Sequence, residues 1–518
     1  MIALNSSVKD SEVILETSEN EVYASDNLKD LLNWTWELSY LNENFIVAWN
    51  LNNFVKAFVN LFPLDKRSEL TQTKSCGICG FSFFYEPDRI LSIKRGGRGA
   101  LVYNLSQFAM DHETEPESLK GIVKFGEDLL CELKTVNLEP KSLSSPAGVV
   151  LPILDKLDLP TWEDIPEEVG QLAWESINSG WTECHRIGHF EDTCYDYDLR
   201  SAYGSVMADL LDFRLGYWVE SKEMPPQSHY GFATGKVTIT SRISPIVFTD
   251  WRGYMFHPKG TWNETLTLCQ IRLIQEYNLG KFEVSKGYWW IPYHKSKKLK
   301  AVIEWLFRLR ERSERLNDIG KRAIASIYGL MLGTNADGTF RQYTNFIWAS
   351  EIEAQTQCKV ARFIYDNKLE NDLILVSTDG CLTTKPVTVG LGDKIGEWRL
   401  DNTGPCLAIG SSEVWYSDRR PNQLIYPEAI ELVKKKPKAE EWHTKKERRV
   451  TVGDLSEGSY KPGQARQIIE TGFELQFDHN RNFPSLPING KQLLENVYTS
   501  EPYDVKALRR TRIARRGQ

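Results

Sequence analysis

The stretch that most constrains this chain is Tyr195-Asp196-Tyr197-Asp198-Leu199-Arg200-Ser201-Ala202-Tyr203-Gly204-Ser205. Its first half alternates as a strand does, which puts Asp196 and Asp198 on one strand face. The alternation then stops, and the chain reads as a helix beginning near Ser201. Asp198 is therefore left where a strand ends and a helix starts, and a carboxylate there can bind a hard cation together with adjacent backbone carbonyls. The same residue could instead cap the helix or sit in a turn. A second carboxylate, Asp379, lies in Asp372–Thr384 (DLILVSTDGCLTT), two β runs around a turn. Asp-Gly between β runs is a leading signature of a two-residue hairpin turn, so Asp379-Gly380 is the expected turn, and turn chemistry competes with metal binding here.

Between these segments, residues 296–334 read as two helices joined by a tight turn near Asn317–Gly320. In the second, Lys321, Ala325 and Tyr328 are spaced by four and three and share a face. Lys and an aromatic ring on that face suit a triphosphate and a neighbouring base pair. Arg308, Arg310 and Arg312 precede them and suit phosphate oxygens. A solvated amphipathic helix with Glu311 and Glu314 as ion-pair partners is the alternative.

With 518 residues the chain is too long for one core, and a soft prior gives about three or four domains. Hydrophobic content of 41% and charged content of 26% describe an ordinary globular protein. A net charge of -7 excludes a small basic DNA-binding module. Residues 401–518 nevertheless sum to about +4, with basic stretches at Lys434–Arg449 and Lys506–Arg516. A large nucleic-acid enzyme tolerates this balance, because only the groove that tracks phosphates must be basic. Nine scattered Cys point to a reducing compartment. A polar Met1–Glu12 and the absence of an apolar run of about 18 residues point to a protein of the cytoplasm, without a membrane span.

Residues 1–140 alternate strand-like runs (Asn44–Trp49, Cys79–Tyr85, Ala100–Tyr103) with helical ones such as Phe54–Phe62. Ser142–Pro160 is rich in small residues and Pro and reads as a connection between domains. Lys236–Thr240 (KVTIT) alternates like a half-exposed strand. Cys76 and Cys79 have zinc-knuckle spacing without a second pair nearby, and Arg95–Arg98 (RGGR) reads as a surface turn.

Taken together and in this order, the three central segments resemble the motifs of family B DNA polymerases. Asp198 through Ser205 resembles motif A (D-x-x-S-x-Y-P-S), departing at Gly204. Lys321 through Gly329 resembles motif B (K-x-x-x-N-S-x-Y-G), with Ala325 in place of Asn. Leu375 through Gly380 is a degenerate motif C (Y-x-D-T-D-S), with Ser377 where the first Asp would stand. Ser179-Gly180-Trp181-Thr182-Glu183 occupies the place of the Y-x-G-G segment that links exonuclease and polymerase modules. Further upstream, Asn50 through Val55 is similar to the second exonuclease motif, but Val55 stands where its carboxylate should be. Asp128 falls at the third exonuclease motif, with Lys124 in place of its Tyr, and no first motif is evident.

The resemblance implies an α/β (α+β) multidomain fold: a right-hand polymerase with palm, fingers and thumb, preceded by a degenerate RNase-H-like exonuclease domain. The implied limits are 1–140 for that domain, 141–185 for a linker and entry to the palm, and 186–295 for the palm with motif A. Fingers with motif B follow at 296–345, palm with motif C at 346–400, and a thumb or C-terminal region at 401–518. The implied activity is template-directed addition of dNTPs to a 3′-hydroxyl without proofreading, because one remaining carboxylate cannot hold a nuclease's two ions. Two Mg²⁺ ions, replaceable by Mn²⁺, would be held by Asp198, Asp379 and the Leu199 carbonyl. Tyr203 would exclude a 2′-hydroxyl, while Ser201, Arg310, Lys321, Tyr328 and Thr378 would contact the nucleotide. The implied partners are primer–template DNA, dNTPs and replication accessory proteins, in the cytoplasm or that of a host if the gene is phage- or plasmid-borne. Ser377, Ala325 and Gly204 also admit a polymerase-derived nucleic-acid-binding protein with weakened catalysis. A primase or reverse transcriptase is disfavoured, because the turn is Thr-Asp-Gly rather than paired Asp-Asp.

Overall fold

The computed structural model describes residues 1–9, 12–40, 45–86, 89–110, 116, 118–140, 142–143, 147–178, 180–335, 338–388, 390–411, 413–416, 424–435, 443–449, 468–474, 477, 480–487 and 489–514. Ser179 of the linking segment and parts of both basic stretches lie outside them. The chain forms two compact units, one of residues 1–157, 308–326 and 447–470, the other of residues 158–307, 327–446 and 471–518.

The first unit is built on a sheet of β1 (Ile2–Lys9), β2 (Glu12–Thr17), β3 (Val22–Ser25), β4 (Ile46–Ala48), β5 (Ser75–Ile78), β6 (Phe81–Glu86), β7 (Ile90–Arg95) and β8 (Arg98–Asn104). The order is β3-β2-β1-β4-β8-β7-β6-β5, with β1, β4 and β8 mutually parallel at its centre and hairpins on both sides. Parallel neighbours need a crossover, and the chain between β1 and β4 and between β4 and β8 supplies it. The β7–β8 hairpin turns at Gly96-Gly97, both at positive φ, so RGGR is a turn between strands with Arg95 paired to Arg98. Ile2, Val13, Phe54, Val55, Phe58, Phe83, Ile93 and Val102 share one apolar core. Cys76 lies in that core, where burial pushes its thiol up to about 11, whereas Cys79 is exposed in the β5–β6 turn.

The second unit carries two larger sheets and a short two-stranded one. Its strands are β9 (Thr182–Cys184), β10 (Arg186–Leu199), β11 (Gly216–Glu220), β12 (Tyr230–Ile239), β13 (Phe248–Thr249), β14 (Met255–Phe256), β15 (Gly260–Thr267), β16 (Gly280–Pro292), β17 (Leu373–Ser377), β18 (Gly380–Thr383), β19 (Trp398–Ala408) and β20 (Val414–Tyr416). One sheet runs β20-β19-β10-β18-β17-β9, and the short strand Tyr498–Thr499 pairs with the start of β10. The other larger sheet runs β11-β16-β12-β15, and β13 pairs with β14. Lys236 faces out of β12 while Val237 and Ile239 face in, as the alternation predicts. The helix Phe346–Asp366 is buried along most of its length and packs on the helices Glu167–Glu175, Ala202–Met207 and Leu268–Glu276. Among the described residues, no helix is long and apolar enough to cross a membrane.

A residue far along the chain closes the first of these sheets. The Arg481 guanidinium is fully buried against Glu183 on β9, 3.1 Å away, and donates from Nε to the Ser500 hydroxyl at 2.8 Å. Ser500 donates onward to the His185 carbonyl at 2.9 Å, and the Trp181 indole donates to the other Glu183 oxygen at 2.9 Å. A buried ion pair is tolerable only when its remaining donors and acceptors are met in this way.

Two local expectations need correction, the helix break and the hairpin turn. Residues 300–331 do form two helices, Lys300–Leu309 and Glu314–Met331, but Asn317–Gly320 lies inside the second. The break falls at 310–313, where the Ser313 hydroxyl accepts from the Leu316 amide and takes the helix start. Arg310 and Arg312 therefore follow the first helix, and Arg310 donates to Asn317 at 3.0 Å. Ser142–Pro160 does contain a boundary between the two units, at 157/158, with the helix Ala147–Leu154 just before it. The hairpin of β17 and β18 turns at Thr378-Asp379 rather than Asp379-Gly380, because Ser377 pairs with Gly380.

Candidate active site

The site grows from β10. Tyr197 and Leu199 point into the core, which turns Asp196 and Asp198 to the opposite, half-exposed face. Beyond Leu199 the backbone reverses through Ser201 at φ 51°, so that the six-residue helix Ala202–Met207 starts at once. The Arg200 amide donates to the Glu397 carbonyl at 3.0 Å, and the Gly396 amide to the Arg200 carbonyl at 2.8 Å, which fastens this reversal. Ser205 turns inward, donating to the Ala202 carbonyl at 2.7 Å and accepting from the Lys359 ammonium at 2.8 Å. Burial holds the Lys359 pKa below its ordinary value.

The hairpin tip reaches Asp198 because of a glycine. Gly380 pairs with Asp198 across the sheet, and a Cβ on it would lie 2.7 Å from the Tyr197 carbonyl oxygen. Only glycine lets β18 lie so close, and the Asp379 carbonyl then accepts from the Leu199 amide at 2.9 Å. Thr378 sits at φ 52°, uncommon for a β-branched residue, and its amide donates to the Trp181 carbonyl at 2.7 Å. Gly180 makes room for it, since a Cβ there would be 2.7 Å from the Thr378 methyl. The linking segment thus supports the hairpin, with Thr182 paired to Ser377.

Charge is crowded here. Burial, and then the neighbouring Asp379, Asp401 and Asp196 carboxylates, push Asp198 up to about 7, against the pull of Arg399. Asp401 is present because β19 bulges where Asp196 pairs with Asn402 and Tyr197 with Leu400. Arg399 bonds to Asp401, and Tyr416 donates to Asp196 at 2.5 Å. Like charges gathered in a partly buried place repel, and a divalent cation relieves that repulsion. No group of three or more His, Cys, Asp or Glu with metal-holding geometry occurs among the described residues. Two carboxylates are fewer than a cation needs, so an ion held by Asp198 and Asp379 would have to take its other oxygens from elsewhere.

Beside the two aspartates stands an aromatic pair. Tyr203 meets Tyr328 edge to face, with centroids 4.8 Å apart. Burial, Glu353 and Asp379 together push the Tyr203 hydroxyl up to about 12. Tyr328 donates to Glu353, whose other oxygen accepts from the Asn178 amide at 2.9 Å. Burial raises Glu353 to about 7 despite those two bonds.

Of the residues singled out from sequence, Asp198, Leu199, Ser201, Tyr203, Tyr328, Thr378 and Asp379 belong to the second unit. Lys321 and Arg310 belong to the first, with Lys321 exposed on its helix. Also in the first unit, Val55 is buried in the core, Asn50 is exposed just before the helix Leu51–Val59, and Asp128 is exposed on the helix Leu119–Thr135. Sequence reasoning missed Glu353, Lys359, Arg399 and Asp401. The alternation of Arg399 and Asp401 on a strand was a usable signal for the last two. Glu353 and Lys359 look like surface charges on any helix.

Two acids, one at a strand end and one at a hairpin tip, thus stand beside a half-buried tyrosine pair. No family model and no curated protein matches this sequence. Among solved structures the chain is similar to Phi29 DNA polymerase in an orthorhombic crystal form, with TM-score 0.58 and 13% identity over 92% of this chain and 99% of that one. It is likewise similar to Phi29 DNA polymerase complexed with primer-template DNA and incoming nucleotide substrates, with TM-score 0.55 and 12% identity over 80% and 86% of the two chains. At this identity the likeness is one of fold: a mixed α/β multidomain architecture like that of Phi29 DNA polymerase.

Proposed function

We propose that the chain is a template-directed DNA polymerase that adds dNTPs to a primer 3′-hydroxyl and does not proofread. The observation that carries this reading is the meeting of Asp198 and Asp379 at the joined ends of β10 and the β17–β18 hairpin, with Tyr203 alongside. In this reading residues 186–295 and 346–400 serve as palm, 296–345 as fingers and 401–518 as thumb. Residues 1–140 are an exonuclease-like domain that retains only Asp128 of its carboxylates.

Asp198 and Asp379 would hold the divalent cations, with the Leu199 carbonyl as a further oxygen. When bound, two such ions stabilise the attacking and leaving oxygens of an in-line displacement at the α-phosphorus. The chain's own part is positional. The Gly380 contact brings the hairpin tip against the end of β10, and Arg399 moderates the charge on Asp198. Tyr203, backed edge-on by Tyr328, presents a rigid ring to the sugar and excludes a 2′-hydroxyl by bulk. The part of Lys321 in neutralising the triphosphate rests on motif B alone, and that of Arg310 on its place among the arginines preceding it.

Primer extension with dNTPs and Mg²⁺ or Mn²⁺ tests the proposal. Wild type should extend, and Asp379→Ala should fall to about one-hundredth or less. Ser377, in place of a third acid, is the observation that favours the alternative of a nucleic-acid-binding protein. Tight primer–template binding by wild type without extension would establish that alternative. Metal-dependent 3′-to-5′ degradation that survives Asp379→Ala would refute the loss of proofreading.

A further inference from the structure

The second unit holds a cleft of about 540 Å³ that the polymerase reading does not use, enclosed by the turn Trp162–Asp164, the helix Glu167–Glu175 and residues on either side of position 340. Its wall is a continuous row of rings. Trp162 lies 5.3 Å from Phe340, Phe340 lies 5.0 Å from Phe346, and Phe346 lies 5.0 Å from Trp174. Phe346 forms the floor, while Trp162, Phe340 and Trp174 are 37%, 40% and 54% exposed. Three large aromatic residues left open to water in one concavity mark a recognition site more often than a packing fault.

The rim is acidic. Glu163 and Glu167 line the cleft, and among the described residues no lysine or arginine does. Neither carboxylate has a side-chain partner among the described residues. Glu167 lies in the first turn of its helix, where the dipole favours it in any case. Glu163 lies in the first turn of the three-residue 3-10 segment, but the capping bond to the Thr161 amide, at 2.8 Å, is made by the neighbouring Asp164 and leaves Glu163 free of that role. The nearest base in sequence, Arg341, lies against Gly333 instead.

We infer that this cleft binds the cationic side chains of a basic peptide segment on a partner protein, seating a guanidinium or ammonium group over the Trp162, Phe340 and Trp174 rings with Glu163 and Glu167 as counter-ions. Aromatic faces attract cations through their quadrupole, and more strongly where water is partly excluded. The same carboxylates repel phosphates, so a strand of nucleic acid stacking its bases here would bring its charge against them. The volume exceeds that of a single side chain, which suits a basic residue together with its neighbours.

The test is isothermal titration of the full chain with a capped peptide of alternating glycine and arginine, a glycine–glutamate peptide of equal length, and an oligothymidylate. The arginine peptide should bind saturably and the glutamate peptide should not. Trp174→Ala and the double variant Glu163→Gln/Glu167→Gln should each weaken the arginine peptide by about tenfold. All three side chains are exposed, so both variants should keep the wild-type melting temperature, and the melt verifies this. The variants matter because an acidic chain attracts basic peptides elsewhere on its surface. Binding that is absent, or unchanged in both variants, overturns the inference. So does oligothymidylate binding that Trp174→Ala abolishes, which would make the cleft a base-stacking platform.

Discussion

Around Tyr203 the decisive contacts are made by residues with no catalytic atom of their own. Glu353 is bonded to the Tyr328 hydroxyl and the Asn178 amide, so it fixes the ring against which Tyr203 rests. Losing a hydrogen bond to a charged, buried group costs about 1.5–3 kcal/mol, enough to free Tyr328. Under the polymerase reading, Tyr328→Phe and Glu353→Ala should each lower the ratio of kcat/KM for dNTP over rNTP by about tenfold, while Tyr203→Ala lowers it further. A ratio that stays at the wild-type value in both would show that Glu353 does not support the sugar gate. Asp198, Asp379 and Tyr203 could be singled out only because three segments occur together in family order, since each segment alone reads equally well as a cap or a turn. Glu353 could not be, since an acidic residue in a helix reads as solvated until its neighbours in space are known.

Among elements, the β17–β18 hairpin shows how a signal can be right in place and wrong in cause. Asp-Gly announced a turn, yet Gly380 is needed for close approach to β10 and not for a turn conformation. Gly380→Ala should therefore destabilise by about 1–3 kcal/mol in urea unfolding, as overpacking does. Gly77→Ala on β5, with nothing within 4 Å of the new methyl, should be neutral or slightly stabilising. The helix Phe346–Asp366 supplies a pH-dependent counterpart. Burial raises Glu351 to about 7 against the opposing pull of its Gln355 bond and of Arg272. The folded chain thus keeps a proton that the unfolded chain releases above its ordinary value near 4.5. This contribution is present below that value and is lost as pH rises through about 7. Glu351→Gln should consequently raise Tm relative to wild type more at pH 8 than at pH 5, and an equal difference at both would show that Glu351 is ionised throughout. The misplaced helix break has a similar lesson: Asn, Asp and Gly weaken a helix locally, but burial of Leu316, Ile319 and Ile324 carries it through.

For the molecule as a whole, the pairing of Glu183 with Arg481 matters more than any local signal. Arg481→Met should cost about 3–5 kcal/mol, because it strands a buried carboxylate, whereas Glu183→Gln/Arg481→Met together should cost clearly less. Urea unfolding of the second unit measures both, and equal losses would mean that the pair acts only through volume. Nothing in the sequence joined these residues, since charge pairing across such a separation leaves no periodic trace. Their separation has a consequence for biosynthesis. Glu183 begins the sheet that carries Asp198 and Asp379, but its counter-ion is translated 298 residues later. At roughly 5–20 residues per second, a ribosome leaves the emerging sheet without that counter-ion for about 15–60 s. The nascent chain must then shelter an acid that has no base, and the sheet that carries Asp198 and Asp379 reaches its final form only when the distant arginine leaves the exit tunnel.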